Sequence, residues 1–242
     1  VKVGYRNWFG RVDHRGALED LRTREPNFRD EELAQPGWHH DLHRSRLPDE
    51  LPGDPQPGGA WELARRLIDI YEAPEPSIIR GAYAAASPLI GRDMLLEARF
   101  YGLHFSMGVR VTHVIDELRD DGTRVWGWSY DTLEGHVERG RMSYEVVKHV
   151  DSGHVEFVTR GVSEPAPTLG PLLRLGWSLF GRRTQVRFYR RCGQRMQRIV
   201  SASLEDGHRF PRPVVVDGLV HAPSDAAPRT RDRFALHSKH PG

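Results

Sequence analysis

The residues best equipped for chemistry stand close together between Tyr130 and Arg139. Thr132, His136, Glu138 and Arg139 bring a hydroxyl, an imidazole, a carboxylate and a guanidinium into one short loop. Imidazole titrates near neutral pH, so His136 can act as a general acid or base, with Glu138 to orient it. Tyr130, if it points inward, can donate to a substrate oxygen. Each has a plain structural reading as well: His136 and Glu138 fix a wide loop by bonding its backbone, and Tyr130 is a core strand residue. A second set, Trp126, Trp128, Tyr144 and Phe157, suits the wall of an apolar ligand cavity or a filled core. His39, His40 and His43 with Asp41 are metal-ligand types. Pro36 and Gly37 before them argue against a rigid helical site and no further ligand is evident, so no metal is assigned. Cys192 reads as an inert buried thiol, and no cofactor is implied.

These residues must be positioned by the stretch from Arg110 to Val162, which reads as four strands. Asp120-Asp121-Gly122 and Asp151-Ser152-Gly153 have turn chemistry, Gly supplying positive φ. Alternation assigns the faces. Trp126, Trp128 and Tyr130 share one face, as do Met142, Tyr144 and Val146, and then Val155, Phe157 and Thr159. Gly127, Ser129, Asp131, Ser143, Glu145, Val147, Glu156, Val158 and Arg160 face the other way. Glu145, Glu156 and Arg160 read as a solvated cross-strand charge set. An antiparallel sheet with one wet face has this pattern, and a face this aromatic must be covered.

The expected cover is a helix from Thr168 to about Val200. Thr168 serves as N-cap and Gly181 as a bend or break. Val186, Tyr189, Gly193, Met196 and Val200 form its apolar stripe. Arg182, Arg183, Arg187, Arg190, Arg191, Arg195 and Arg198 are expected to point outward, as a solvated face paired with carboxylates. Ahead of the strands, Ala60 to Ala73 is an amphipathic helix, with Trp61, Ala64, Leu67, Ile68 and Tyr71 on one face. Pro74 and Pro76 stop it. Met94 to Gly108 reads as one or two further strands.

Three segments follow from this: an irregular, Pro-rich extension over 1–57, a domain over 58–200, and a tail over 201–242. Within the extension, 1–10 reads as a short strand and Ala17 to Leu21 as a helical turn. Within the tail, Val214 to Val216 reads as an edge strand, and the stretch from about Ala222 as loosely draped. The 242 residues are 38% hydrophobic, with 28% charged and a net charge of +2. Mean hydropathy is −0.58. No apolar run approaches the ~20 residues that span a bilayer. The first ten residues lack the apolar centre of a signal peptide. One cysteine excludes an internal disulfide framework. A cytoplasmic protein without integral-membrane or nucleic-acid partners is expected. Oligomeric state is not set by these features.

The run from Trp128 to Gly140 resembles the signature of an uncharacterised family, the domain of unknown function numbered nineteen-ninety. Its pattern is Tyr-Gly-Thr-Leu-Pro-Gly-His-Pro-Glu-x-Gly. The resemblance extends through Val111 to Glu117, Val162 to Ala166, Gly170 to Leu172 and the Arg-rich helix, covering roughly Ala60 to Val200. Glu134 and Val137 stand where the motif has proline, and Asp131 where it has glycine. Arg141 and Met142 replace a common Glu-Glu, and Glu164 a common Arg. The family is similar in fold to the START-like, polyketide-cyclase-like (SRPBCC) helix-grip proteins, which hold apolar ligands between sheet and helix. The resemblance therefore implies an α+β helix-grip domain that binds an apolar or amphipathic small molecule. Two alternatives stay open: a cofactor-independent cyclase, dehydratase or isomerase using Tyr130 and His136, and a membrane-surface or structural protein docking through its arginine-rich helix.

Overall fold

The computed structural model describes residues 13–100, 103–167, 182–205 and 210–226. Among the described residues three α-helices, α1 (His14–Leu21), α2 (Ala60–Asp69) and α3 (Arg182–Glu205), pack against one antiparallel sheet. Its strands are β1 (His39–Arg46), β2 (Ile79–Ala84), β3 (Asp93–Phe100), β4 (Leu103–Leu118), β5 (Thr123–Thr132), β6 (Glu138–His149), β7 (Val155–Pro165), β8 (Val214–Val216) and β9 (Leu219–Ala222). Their order across the sheet is β1-β7-β6-β5-β4-β3-β2-β9-β8. The four expected central strands are the second half of β4 together with β5, β6 and β7. Gly122 and Gly153 take φ of 76° in their turns. The inner face buries Trp126, Trp128, Tyr130, Met142, Tyr144, Val146, Val155 and Phe157 in the main core. The outer face carries a smaller cluster of Val125, Val147 and Val158.

Two strands depart from the sequence reading. His39–Arg46 is a strand rather than a loop, pairing with β7 from His39↔Ser163 to Arg46↔Glu156. It is an edge strand without a buried apolar face, so its sequence lacks the usual alternation. Ile79–Ala84 is β2, whose small residues have a packing reason. A side chain at Gly81 would lie 2.8 Å from the ring of Tyr71. Val214–Val216 does form the opposite edge of the sheet. The expected features at 1–10, Thr168, Gly181 and beyond 226 lie outside the described residues.

The cover also differs. The sheet's aromatic centre lies under α2, which packs on β5, β6 and β7. The long helix α3 packs on β1, β7 and α2. Phe188, Tyr189, Cys192, Met196 and Val200 form its buried stripe. Val186, expected in that stripe, is exposed. Gly193 lies so close to β1 that a Cβ there would meet Ser45 Oγ at 1.8 Å. Arg195, expected outside, is buried. It bonds the Glu72 carboxylate at 3.0 Å, the Glu72 carbonyl at 2.8 Å and Asp225 at 2.7 Å. A guanidinium at that depth persists only because carboxylates and a carbonyl take up its donors. No described helix is long and apolar enough to cross a membrane.

Helix α2 is held at both ends by groups from elsewhere. Its N-cap, Gly59, has no capping side chain. Glu50 substitutes, accepting from the backbone N–H of Trp61 at 2.8 Å and of Gln56 at 3.0 Å. The same carboxylate pairs with Lys148 at 2.7 Å, and Lys148 also donates to the Asp54 carbonyl at 2.8 Å. Lys148 is fully buried and Glu50 nearly so. Removing one partner of such a pair strands the other charge, so Lys148→Met should cost about 3–5 kcal/mol in urea unfolding. Adding Glu50→Gln, which removes the stranded charge and keeps an acceptor for Trp61, should recover at least half of that loss.

Candidate functional site

The site is built around the end of α2. Its last four carbonyls need external donors, and all four find them. Glu72 N–H donates to Leu67 O at 2.8 Å and Tyr71 N–H to Ile68 O at 3.1 Å, the paired bonds of a Schellman ending. Trp128 Nε1 donates to Ile68 O at 3.1 Å, Arg92 to Asp69 O at 3.0 Å, and Tyr83 Oη to Ile70 O at 3.4 Å. The position after the C-cap is Tyr71, with φ of 60°. Glycine usually takes that left-handed conformation, because a Cβ there costs about 1–2 kcal/mol. The strain aims the Tyr71 ring into the core, 6.0 Å from Trp128 and 5.9 Å from Tyr144 between centroids.

Three phenols meet there. Tyr130 and Tyr144 come from adjacent strands, their rings 6.2 Å apart. Burial pushes the ionisation of Tyr71, Tyr130 and Tyr144 upward, so all three are neutral donors at physiological pH. Their hydroxyls lie within hydrogen-bonding reach of one another, and Cys192 of α3 is close by. Yet the hydroxyls of Tyr71 and Tyr144 have no partner in hydrogen-bond geometry, nor has Thr159 Oγ1. Thr159 stands directly opposite Tyr144 in the β6–β7 ladder. An unsatisfied buried hydroxyl costs about 1–3 kcal/mol.

The other sequence candidates fall in two places. Trp126, Trp128 and Phe157 share the inner face with Tyr144 and are buried. Arg65 lies over the Trp126 ring at 5.4 Å, and the Trp128 indole N–H is committed to α2, so the helix fills the space above both. His136 and Glu138 lie beyond Thr132, in the β5–β6 connection and at the start of β6. His136 Nδ1 sits 3.0 Å from Glu138 N and 2.9 Å from Glu138 O, so it bonds the loop backbone rather than the Glu138 carboxylate. That carboxylate accepts from Gln185 of α3 at 3.1 Å. His136 borders a cavity of about 400 Å³ that Pro26, Phe28, Arg29, Glu32 and Gly135 also line. Tyr130 and His136 therefore engage different surroundings. His39, His40 and His43 lie along β1, and no group of three potential metal ligands converges among the described residues.

Three of the departures from the family motif, Asp131, Arg141 and Glu164, take part in ion pairs. Asp131 and Arg141 face each other across β5 and β6 and pair at 2.6 Å. Arg141 also reaches Asp30 at 2.8 Å. Glu164 pairs with Arg139, which pairs in turn with Glu32 at 2.5 Å. These contacts tie residues 30–32 onto the signature region. Sequence reading missed Tyr71 as a site residue because a helix-face tyrosine looks like core. Its one signal was its place at the end of the helix, where glycine is usual.

A large antiparallel sheet, with β1-β7-β6-β5-β4-β3-β2 in order, and a long C-terminal helix beside it make this an α+β protein, consistent with a helix-grip architecture. The chain belongs to the family described as Domain of unknown function (DUF1990), which matches residues 24–195. No curated protein matches it. Among solved structures it is similar to the Zhui aromatase/cyclase from Streptomyces sp. R1128, at 14% identity and a TM-score of 0.42, over 71% of this chain and 98% of that one. A START superfamily protein from Mycobacterium smegmatis is similar at 10% identity and a TM-score of 0.42, over 67% and 97%. The hypothetical protein jhp0584 from Helicobacter pylori is similar at 10% identity and a TM-score of 0.44, over 71% and 94%.

Burial lowers the pKa of His136 from 6.5 to about 4. The folded ring therefore stays neutral while the unfolded one gains a proton below pH 6.5. Its contribution to stability is complete above that value and is lost as pH falls through about 4, roughly 3 kcal/mol in all. His136→Asn, which can still accept from the Glu138 N–H, should reduce the drop in urea midpoint between neutral and mildly acidic buffer.

Proposed function

We propose that the protein binds an apolar or amphipathic small molecule that carries a hydrogen-bond-accepting oxygen. The observation behind this is Tyr71: a strained backbone holds a buried hydroxyl beside two others, and it makes no well-formed hydrogen bond to a described group. Strain and orphaned polar groups both gather at sites kept for a ligand. Three neutral phenols and a threonine favour an uncharged acceptor, such as a carbonyl or ether oxygen. A bare carboxylate would be costly there, with no cation to balance it. Tyr71, Tyr130, Tyr144 and Thr159 would hold the oxygen, and Phe157 and Met142 the apolar remainder. Trp126 and Trp128 would serve by seating α2 rather than by touching the guest.

The enzyme reading requires a proton acceptor within reach of the phenols. His136 bonds its own loop backbone, and Cys192 is held as a thiol by burial. Binding without turnover is therefore the function these residues support best.

Native mass spectrometry of the purified protein, followed by solvent extraction, tests this. A retained organic molecule is expected, and Tyr71→Phe/Tyr144→Phe should lose it while folding as stably as the parent or more so. A parent that carries nothing, with a double variant less stable by about 1 kcal/mol per hydroxyl, would mean the phenols are ordinary core.

A further inference from the structure

We infer that the outer face of α3 is a docking surface for anionic phospholipid bilayers. Arg183, Arg187, Arg190, Arg191 and Arg198 are all exposed. At 3.6 residues per turn they fall on one stripe, about 22 Å long at 1.5 Å per residue. None of the five makes an ion pair among the described residues. Nine other arginines, Arg44, Arg46, Arg110, Arg119, Arg124, Arg139, Arg141, Arg160 and Arg195, each hold a carboxylate. The stripe therefore concentrates cations that the fold has left unneutralised, against a net charge of only +2 for the whole chain.

Charge alone would suit any polyanion, and two further observations favour a bilayer. Exposed Val186 and Leu204 lie along one edge of the stripe, about five turns apart, where both can rest at headgroup depth. The opposite face of the same helix carries Cys192, which borders the phenol cluster. A helix with an apolar guest behind it and a membrane before it would stand where that guest enters or leaves. This last argument rests on the ligand reading; the exposed, unpaired arginines do not. A straight stripe on a helix backed by a sheet also matches a flat surface, and among the described residues of the helix no exposed aromatic accompanies it for stacking on bases.

The test is co-flotation of the full chain with vesicles of one part phosphatidylserine to three parts phosphatidylcholine, against phosphatidylcholine alone. Binding should require the anionic lipid and fall with added salt. Each basic residue at such a surface contributes roughly fivefold in affinity, so Arg187→Glu/Arg191→Glu should weaken binding by more than about 20-fold. The matched control Arg22→Glu/Arg212→Glu alters net charge equally at exposed sites away from the stripe and should weaken it by less than about fivefold. Equal loss in both variants, unchanged binding in the first, or binding to plain phosphatidylcholine would overturn the proposal. So would duplex DNA that displaces the protein from vesicles and binds more tightly than they do. Extraction of guest from the same preparations is scored separately, so an empty interior with intact vesicle binding would sink only the ligand reading.

Discussion

Everything in this molecule depends on how the ten residues of α2 are seated. A helix this short is marginal alone and survives only if its ends and one face are satisfied by the rest of the fold. The face is apolar and rests on β5, β6 and β7. The ends are polar and are met from a distance. Glu50 receives the first N–H groups, and Trp128, Arg92 and Tyr83 supply the last carbonyls. The indole of Trp128 thus does two things: it fills the core and closes the helix. Because the seat is over-determined, the chain can carry Tyr71 in a conformation that costs energy. That residue then points its hydroxyl into the interior beside Tyr130 and Tyr144, without a well-formed bond to any described group.

Charge is handled differently inside and outside. Within, ions occur in compensated sets: Lys148 with Glu50 at the start of α2, and Arg195 with Glu72 and Asp225 beyond its end. The second set joins α3, the end of α2 and the segment after β9, three stretches far apart in sequence. At the sheet's end, Arg139 and Arg141 bind carboxylates from the sheet and from residues 30–32. The exposed arginines on the outer side of α3 stand outside these sets. The phenol cluster lies on the inner side of the same helix, so the two unusual surfaces share one element.

Much of the fold was legible in the residues. Period-two alternation gave the correct face for every residue from Trp126 to Tyr130 and from Val155 to Thr159. Period 3.6 gave the buried face of α2 down to Tyr71. What escaped had no local signal. His39–Arg46 is an edge strand with charged residues on both faces, so alternation could not reveal it. Lys148 and Arg195 look like surface residues, and only tertiary structure brings Glu50 and Glu72 to them. The long helix was expected over the aromatic face; its described part lies against β1, β7 and α2 while α2 covers the centre, a tertiary placement that no local pattern marks. Of the site, Tyr130, Tyr144 and Thr159 were assigned to the inner face from sequence. The left-handed backbone at Tyr71 was not, since no residue pattern marks a tyrosine in the place of glycine.

The central claim is that the interior beside Tyr71 is completed by something other than protein. A high-resolution crystal structure of the protein as purified addresses it directly. The account predicts continuous density for an organic molecule, with an oxygen about 3 Å from the hydroxyls of Tyr71 and Tyr144. Hydroxyls that bond one another, or only isolated waters, with α3 packed flush against them, would contradict it.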